Sequence, residues 1–237
     1  MAVPRFLLES IPAIGGVAWL DRDESRHAIG SRRLAEGDAV ELIDGCGGVA
    51  QARLQNQRNN AGNIAATVES LQRLARISPA LHVGSAVPKG DRLSMLLDAA
   101  GELAVETITA LACERSVTPA ERMMGERSER ILAEALKQSR GSWRTELRTP
   151  TTPIDFANAS IAVGHSTFIL DARGKSLAPL AAHAPRIALL IGPEGGFTEN
   201  EYAQMLQAGA IPASLGEGVL RVELAVAVAC GAIRSNA

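Results

Sequence analysis

The sequence predicts a two-part α/β chain, with a small N-terminal β-domain over residues 1–72 and a mostly parallel sheet covered by helices over residues 73–237. Three observations predict it. The chain changes character near residue 75, from short β-type runs broken by turn signals to strand-like runs alternating with helical ones. The run "RIALLI" (186–191) is continuously apolar, as a strand buried on both faces is. Glycines follow it, and then Thr198 with Glu201 three residues on, a capping box that opens a helix.

Taken in order, "VAWL" (17–20), "DAVELI" (38–43), "GVAQARL" (48–54) and "NIAATVESL" (63–71) read as strands. The turn-rich stretches "DGCGG" and "NQRNNAGN" separate them, and a helix is expected at about residues 24–31. This pattern suits a small β-barrel or sandwich. Beyond it, "LHVGSAV" (81–87) reads as a strand and "DRLSMLLDAAGEL" (91–103) as a helix with Leu93, Leu96, Leu97 and Ala100 on one face. "TITALA" (107–112) follows as a strand, then a long charged helix over 121–139. "SIAVG" (160–164), "TFILD" (167–171) and "RIALLI" are read as further strands. A helix running to Leu206 and stopped by Gly209, the strand "IPASLG" (211–216) and a final helix complete the alternation.

Composition excludes several classes of function. With 237 residues, 46% hydrophobic and 21% charged, the chain can bury one large core or two smaller ones. No apolar run approaches the roughly 18 residues of a membrane helix, and Glu9 and Pro12 interrupt the N-terminal apolar stretch, so the cytoplasm is the expected location. Cys46, Cys113 and Cys230 form no CxxC pair and read as small buried hydrophobes. No His, Cys, Asp and Glu spacing matches a metal site, and His82 and His183 have no cluster around them. Net charge is −2, yet all cations but Lys89, Lys137 and Lys175 are arginine. Arg22, Arg26, Arg32 and Arg33 form one cluster and Lys137, Arg140, Arg144 and Arg148 another, each either a phosphate-facing patch or a solvated face.

The stretch "LLIGPEGGFTENE" (189–201) is strand, glycine loop and helix start, where ligands usually sit in α/β sheets. Phosphate is an unsuitable guest: a phosphate loop needs a lysine, and here Glu194 occupies the loop. A second glycine loop, "SLGEGVLRVE" (214–223), fails as a dinucleotide fingerprint because Arg221 stands where the third glycine belongs. Two such loops at one sheet edge would form opposite walls of a pocket. A ligand without phosphate that backbone can approach closely, such as S-adenosylmethionine, suits them; the alternative is a pair of tight structural turns.

"LLIGPEGGFTENE" followed by "LGEGVLRVELA" resembles the paired C-terminal motifs of the RsmE family, SPOUT-class methyltransferases that modify N3 of a uridine in 16S ribosomal RNA. "PRF" at 4–6, His27, Arg33 with Gly37 and Asp38, "LIDG" at 42–45, "KGDR" at 89–92, Glu102 and "ERS" at 114–116 fall in the family's order. The resemblance implies a PUA-like RNA-binding β-barrel, a C-terminal domain tied in a deep trefoil knot, S-adenosylmethionine as cofactor and a homodimer acting on 16S rRNA in the small subunit. The apolar final helix "ELAVAVACGAI" fits burial on every side by its own domain and a partner.

Carried residue by residue, the resemblance implies that Ile191, Gly192, Pro193, Glu194, Gly195 and Gly196 of the first loop hold the cofactor, with Leu215, Gly216, Val219 and Leu220 of the second. Arg5, Arg32, Arg33, Lys89, Arg92 and Arg140 are the expected RNA contacts. Uracil N3 is a poor nucleophile until its proton is lost, so a cation that stabilises the anionic ring is required. Arg221 is the expected catalytic cation, the alternative being an arginine paired with Glu223 or Glu194. His165 aligns with a family histidine and either accepts a proton or lines the pocket. The chain departs from the family at Val222 and Leu224, where threonines are usual, and at Ser128, usually aromatic. Arg140 also sits one place early, and Thr145 replaces a proline. Another RNA position as target, or a noncatalytic RNA-binding role, remains the alternative to uridine N3 methylation.

Overall fold

The structure, a computed structural model, describes residues 3–31 and 34–235. It divides into two compact units, one of Met1–Arg76 with Leu136–Arg144 and one of Ile77–Ala135 with Thr145–Ala237. No helix of the described residues is long and apolar enough to cross a membrane.

The first unit holds β1 (Arg5–Leu7), β2 (Val17–Trp19), α1 (Arg22–Arg26), β3 (Ala39–Ile43), β4 (Gly48–Arg58) and β5 (Ile64–Arg73). Its sheet runs β1-β3-β4-β5-β2, antiparallel except for the β1–β3 pair. Alternating residues such as Val40, Leu42, Ala50, Ala52 and Leu54 pack with Phe6 and Leu20 to form its core. The expected helix at 24–31 starts earlier. Asp21 Oδ1 accepts from Glu24 N at 2.8 Å to open α1, and the chain passes into a π-turn at His27–Ser31. The unit is completed by 136–144: Leu136 packs with Ile43 and Val49, Lys137 Nζ lies 2.8 Å from Glu24 Oε1, and Trp143 Nε1 donates to Leu74 O at 2.8 Å.

The second unit is a six-stranded sheet in the order β11-β9-β10-β6-β7-β8, every pair parallel. Its strands are β6 (Ala80–Ser85), β7 (Thr107–Leu111), β8 (Glu146–Thr151), β9 (Ser166–Ser176), β10 (Arg186–Ile191) and β11 (Ile211–Ser214). Its helices are α2 (Arg92–Glu102), α3 (Glu126–Gln138, whose residues from 136 on belong to the first unit), α4 (Pro153–Ala162), α5 (Leu177–Ala181), α6 (Glu199–Ala208) and α7 (Val222–Arg234). Ile187, Leu189 and Ile191 of β10 pack into one core and Ala188 and Leu190 into another, so the strand is buried on both faces as its apolar run predicts.

Three further elements differ from expectation. "SIAVG" is no strand: Ser160 to Ala162 end α4, where Thr152 Oγ1 accepts from Asp155 N, Pro153 takes the first turn, and Phe156, Ala157 and Ser160 are buried at helical spacing. The helix expected over 121–139 is broken by Gly125 (φ +113°) into a 3-10 turn at Ala120–Met123 and α3. The last helix, α7, is buried on one face only; Leu224 and Val228 are exposed on the other, because a single chain supplies nothing to cover them. Cys113 and Cys230 are buried, and burial pushes both thiols up to about 12, whereas Cys46 is exposed.

Candidate active site

The first glycine loop leaves β10 at Ile191 and turns at Gly196, whose φ of +69° favours glycine; its N–H donates to Pro193 O at 2.7 Å. The capping box read from the sequence is present: Thr198 Oγ1 accepts from Glu201 N at 3.2 Å and Glu201 Oε2 accepts from Thr198 N at 2.8 Å. The "ERS" segment braces the loop from outside. Arg115 donates to the Gly195 and Phe197 carbonyls at 3.0 and 3.3 Å, and Glu114 N donates to Glu201 Oε1 at 2.9 Å.

The second loop leaves β11 at Ser214, whose hydroxyl donates to Gly216 O at 2.8 Å and accepts from Gly216 N at 3.1 Å. Gly216 has φ +124°, and Arg221 ends the loop as the N-cap of α7. A third wall was not legible in the sequence. The register of β11 on β9 jumps from Pro212↔Ile169 to Ala213↔Lys175, so residues 170–174 of β9 have no register partner on β11 and form a bulge. Gly174 permits this, since a Cβ there would lie 2.4 Å from Ala213 N.

These three segments enclose a cavity of about 390 Å³. Ile191, Gly192, Pro193, Glu194 and Gly196 line it from the first loop, and Leu215, Gly216, Val219, Leu220 and Arg221 from the second. Gly195 stands outside this lining, with its missing side chain facing Arg115. Leu170, Asp171 and Ala172 come from the bulge, and Phe197, Val222 and Ala225 add apolar surface. Val222, one of the departures from the RsmE pattern, is thus part of the wall.

The wall carries two carboxylates and one guanidinium. Hydrogen bonds from Arg173, whose Nε and Nη2 both reach Asp171 at 2.9 Å, hold the Asp171 carboxyl below the usual carboxylate range, against the opposing effect of burial. Glu194 faces Arg92, whose Nη1 is 3.6 Å from Glu194 Oε1 and whose Nε is 4.0 Å from Oε1 of buried Glu223. Glu223 Oε2 has no hydrogen-bond partner among the described residues. Both carboxylates proposed as alternatives for Arg221 therefore face Arg92 instead. Arg221 is exposed and forms no ion pair among the described residues.

The remaining expected residues are not brought to this cavity. His165 does not end a strand; it follows α4 and precedes β9, whereas the cavity forms beyond Ile169 on that strand, so the two lie at different ends of it. Arg5 is spent inside the first unit, paired with Glu41 and donating to Gly141 O at 2.7 Å, with a side chain 8% exposed; that burial removes it from the expected RNA contacts. Arg140 lies 3.3 Å from the same Glu41. Arg92 is engaged by the carboxylates just described, while Lys89 is exposed beside a second cavity. Arg32 and Arg33 lie outside the described residues. Among the described residues no group of His, Cys, Asp and Glu could hold a metal ion.

A family model described as an RNA methyltransferase domain matches residues 76–234, and one described as an RNA methyltransferase PUA domain matches residues 20–61. The chain is 29% identical over 245 residues to a protein of Mycobacterium bovis named ribosomal RNA small subunit methyltransferase E, covering 98% of this chain and 92% of that one. A protein of the same name from Synechocystis is 29% identical, over 86% of this chain and 68% of its own. Among solved structures, ribosomal RNA small subunit methyltransferase E of Neisseria gonorrhoeae bound to S-adenosylmethionine superposes with a TM-score of 0.88 at 25% identity, over 99% of this chain and 98% of its own. A methyltransferase of Legionella pneumophila, also solved with the cofactor, gives 0.87 at 27% identity over the same shares.

Proposed function

The chain belongs to the RNA methyltransferase family, and from that premise we propose that it transfers the methyl group of S-adenosylmethionine to N3 of a uridine in the 16S rRNA of the small ribosomal subunit. The observation that carries the reading is the cavity between the two glycine loops with Arg221 at its rim. Its volume falls in the range of small-molecule sites, about 300–1,000 Å³. Its walls fit the cofactor. Backbone of Gly192, Gly196 and Gly216 allows close approach, Phe197 and Val222 supply apolar surface, and Asp171 and Glu194 suit a ligand that carries ammonium and sulfonium charge rather than phosphate. Bound there, the cofactor supplies an electrophilic methyl group that needs no further activation.

The chain's own task is to hold the uracil in line and to stabilise it once N3 has lost its proton to solvent water and its lone pair is free to form the new N–C bond as the S–C bond breaks. Arg221 does the second: its guanidinium has no ion pair among the described residues to leave, and it lines the cavity at the end of the second loop. His165 has no part in this scheme, since it lies away from the cavity.

The same reading includes the trefoil knot, supported by the convergence of segments 170–172, 191–197 and 214–222 on one cavity. It also includes a PUA-like barrel in residues 1–72 that binds RNA, supported by the family match over 20–61, with residues 73–237, apart from the 136–144 segment that joins the first unit, as the methyltransferase domain. Leu224 and Val228, one helical turn apart on α7 and both exposed, form an uncovered apolar face that supports a homodimer. The cytoplasm, where ribosomal subunits are built, is the location this reading requires. The test is transfer of labelled methyl to 30S subunits, naked 16S rRNA and tRNA, followed by nucleoside analysis. Label recovered as 3-methyluridine in the small-subunit RNA is expected; label confined to tRNA, or in another nucleoside, overturns the assignment.

A further inference from the structure

A second cavity in the same unit, of about 460 Å³, takes no part in the scheme above. Lys89, Arg122 and Arg127 line it with Ser94 and Ser128, and Asp91 is the one carboxylate on its wall. Two helices start there: α2 contributes Asp91 and Ser94, α3 Arg127 and Ser128. Asp91 is the N-cap of α2 but its side chain makes no cap hydrogen bond, so it does not close off the first-turn N–H groups. The three cations form no ion pair among the described residues; Arg127 donates only to Ser94 Oγ at 3.3 Å. Three like charges around one concavity repel each other, and an anion bound among them relieves that repulsion. The chemistry is opposite to that of the first cavity, with its two carboxylates.

One residue separates the two cavities. Asp91 and Leu93 line the basic cavity, and Arg92 between them reaches Glu194 on the wall of the first. The basic cavity is lined by the segment that follows β6 and the first by the segment that follows β10, the two strands pair, and Arg92 joins the two walls. We propose that this cavity receives a backbone phosphate of the substrate RNA beside the methylated nucleotide, neutralised by Lys89, Arg122 and Arg127. The proposal rests on the RNA methyltransferase reading given above. It adds to the expected contact at Lys89 two arginines that no motif marks. Phosphate contacts of this kind fix the register of the strand and carry no sequence information.

The test uses the full chain and an RNA oligonucleotide carrying the target uridine, made with ordinary or with uncharged methylphosphonate linkages beside it. Lys89→Ala and Arg122→Ala should each weaken RNA binding about tenfold and raise KM for RNA, with kcat at saturation and cofactor affinity held. Each should lower the slope of log K against log salt by roughly 0.7 to 0.9. Asp91→Asn should tighten binding, a gain that no folding defect produces. Uncharged linkages should weaken the wild type and leave the double variant indifferent. Wild-type affinity and salt slope in Lys89→Ala/Arg122→Ala, or a wild type insensitive to the uncharged linkages, overturns the proposal. A wild type that methylates no small-subunit RNA overturns the functional reading instead, and the two failures are separately visible.

Discussion

His82 and His165 lie ring against ring, their centroids 4.2 Å apart and their planes tilted by 35°. His82 Nδ1 is 2.7 Å from Thr107 Oγ1, while His165 Nδ1 is buried without a partner among the described residues. Burial lowers the His82 pKa to about 4, with further lowering from His165, an opposing effect of Glu106, and smaller lowering from Arg148 and Arg186. Burial and then Arg186 lower that of His165, again against Glu106. The pair is built to be neutral.

Between about pH 6.5 and 4 the unfolded chain binds a proton at His82 that the folded chain refuses, and His165 acts in the same direction, so stability rises with pH through that window. Stability contributed by neutral His82 is full above pH 6.5, falls as the pH drops towards 4 and falls no further from this source below it. Chemical denaturation at pH 7.5, 5.5 and 4.5 should show this decline, and His82→Gln should make it shallower. Equal slopes for variant and wild type would remove the histidines from the account.

Gly196 and its neighbour Gly195 should respond differently. Gly196 has a left-handed φ and lines the cavity, so Gly196→Val introduces strain of about 1–3 kcal/mol and a side chain at the ligand wall. Titration should find S-adenosylmethionine binding abolished with the fold retained. A Cβ at Gly195 meets Arg115 at an ordinary 3.7 Å, so Gly195→Ala should bind almost normally. Equal effects of the two would mean the ligand contacts the outer side of the loop.

Arg221→Ala should lower kcat about 100- to 1000-fold, or roughly 3 to 4 kcal/mol, with both affinities nearly unchanged. Arg221→Lys should recover part of the rate, because a point charge remains but the planar fork does not. Weak RNA binding with normal turnover at saturation would make it a phosphate contact instead.

Removing Arg92 strands two carboxylates, one of them the buried Glu223. Arg92→Ala should destabilise the chain by about 1–2 kcal/mol, less than a fully buried pair because the arginine side chain is 39% exposed. Adding Glu223→Gln should restore part of the loss. Additive effects in thermal melts would show that the two side chains are not coupled.

The strand "RIALLI", the box Thr198–Glu201 and the stop at Gly209 were legible because each depends on neighbours within a few residues: apolar continuity, side-chain reach across three positions, positive φ after a helix. The two glycine loops were legible as one site for the same reason, each being a strand end joined to a helix start. "SIAVG" was misread because a five-residue apolar stretch has no period of its own. The Thr152 cap and the spacing of Phe156, Ala157 and Ser160 decided for helix.

Tertiary structure alone decided the rest. The bulge at 170–174 exists because β11 pairs with β9 on either side of it, a register that no local pattern encodes. Arg5, Arg92 and Lys89 are all cations in recognisable motifs. One is consumed by Glu41, one by Glu194 and Glu223, and one is left on a basic cavity, since the availability of a charge depends on which distant carboxylates the fold brings to it.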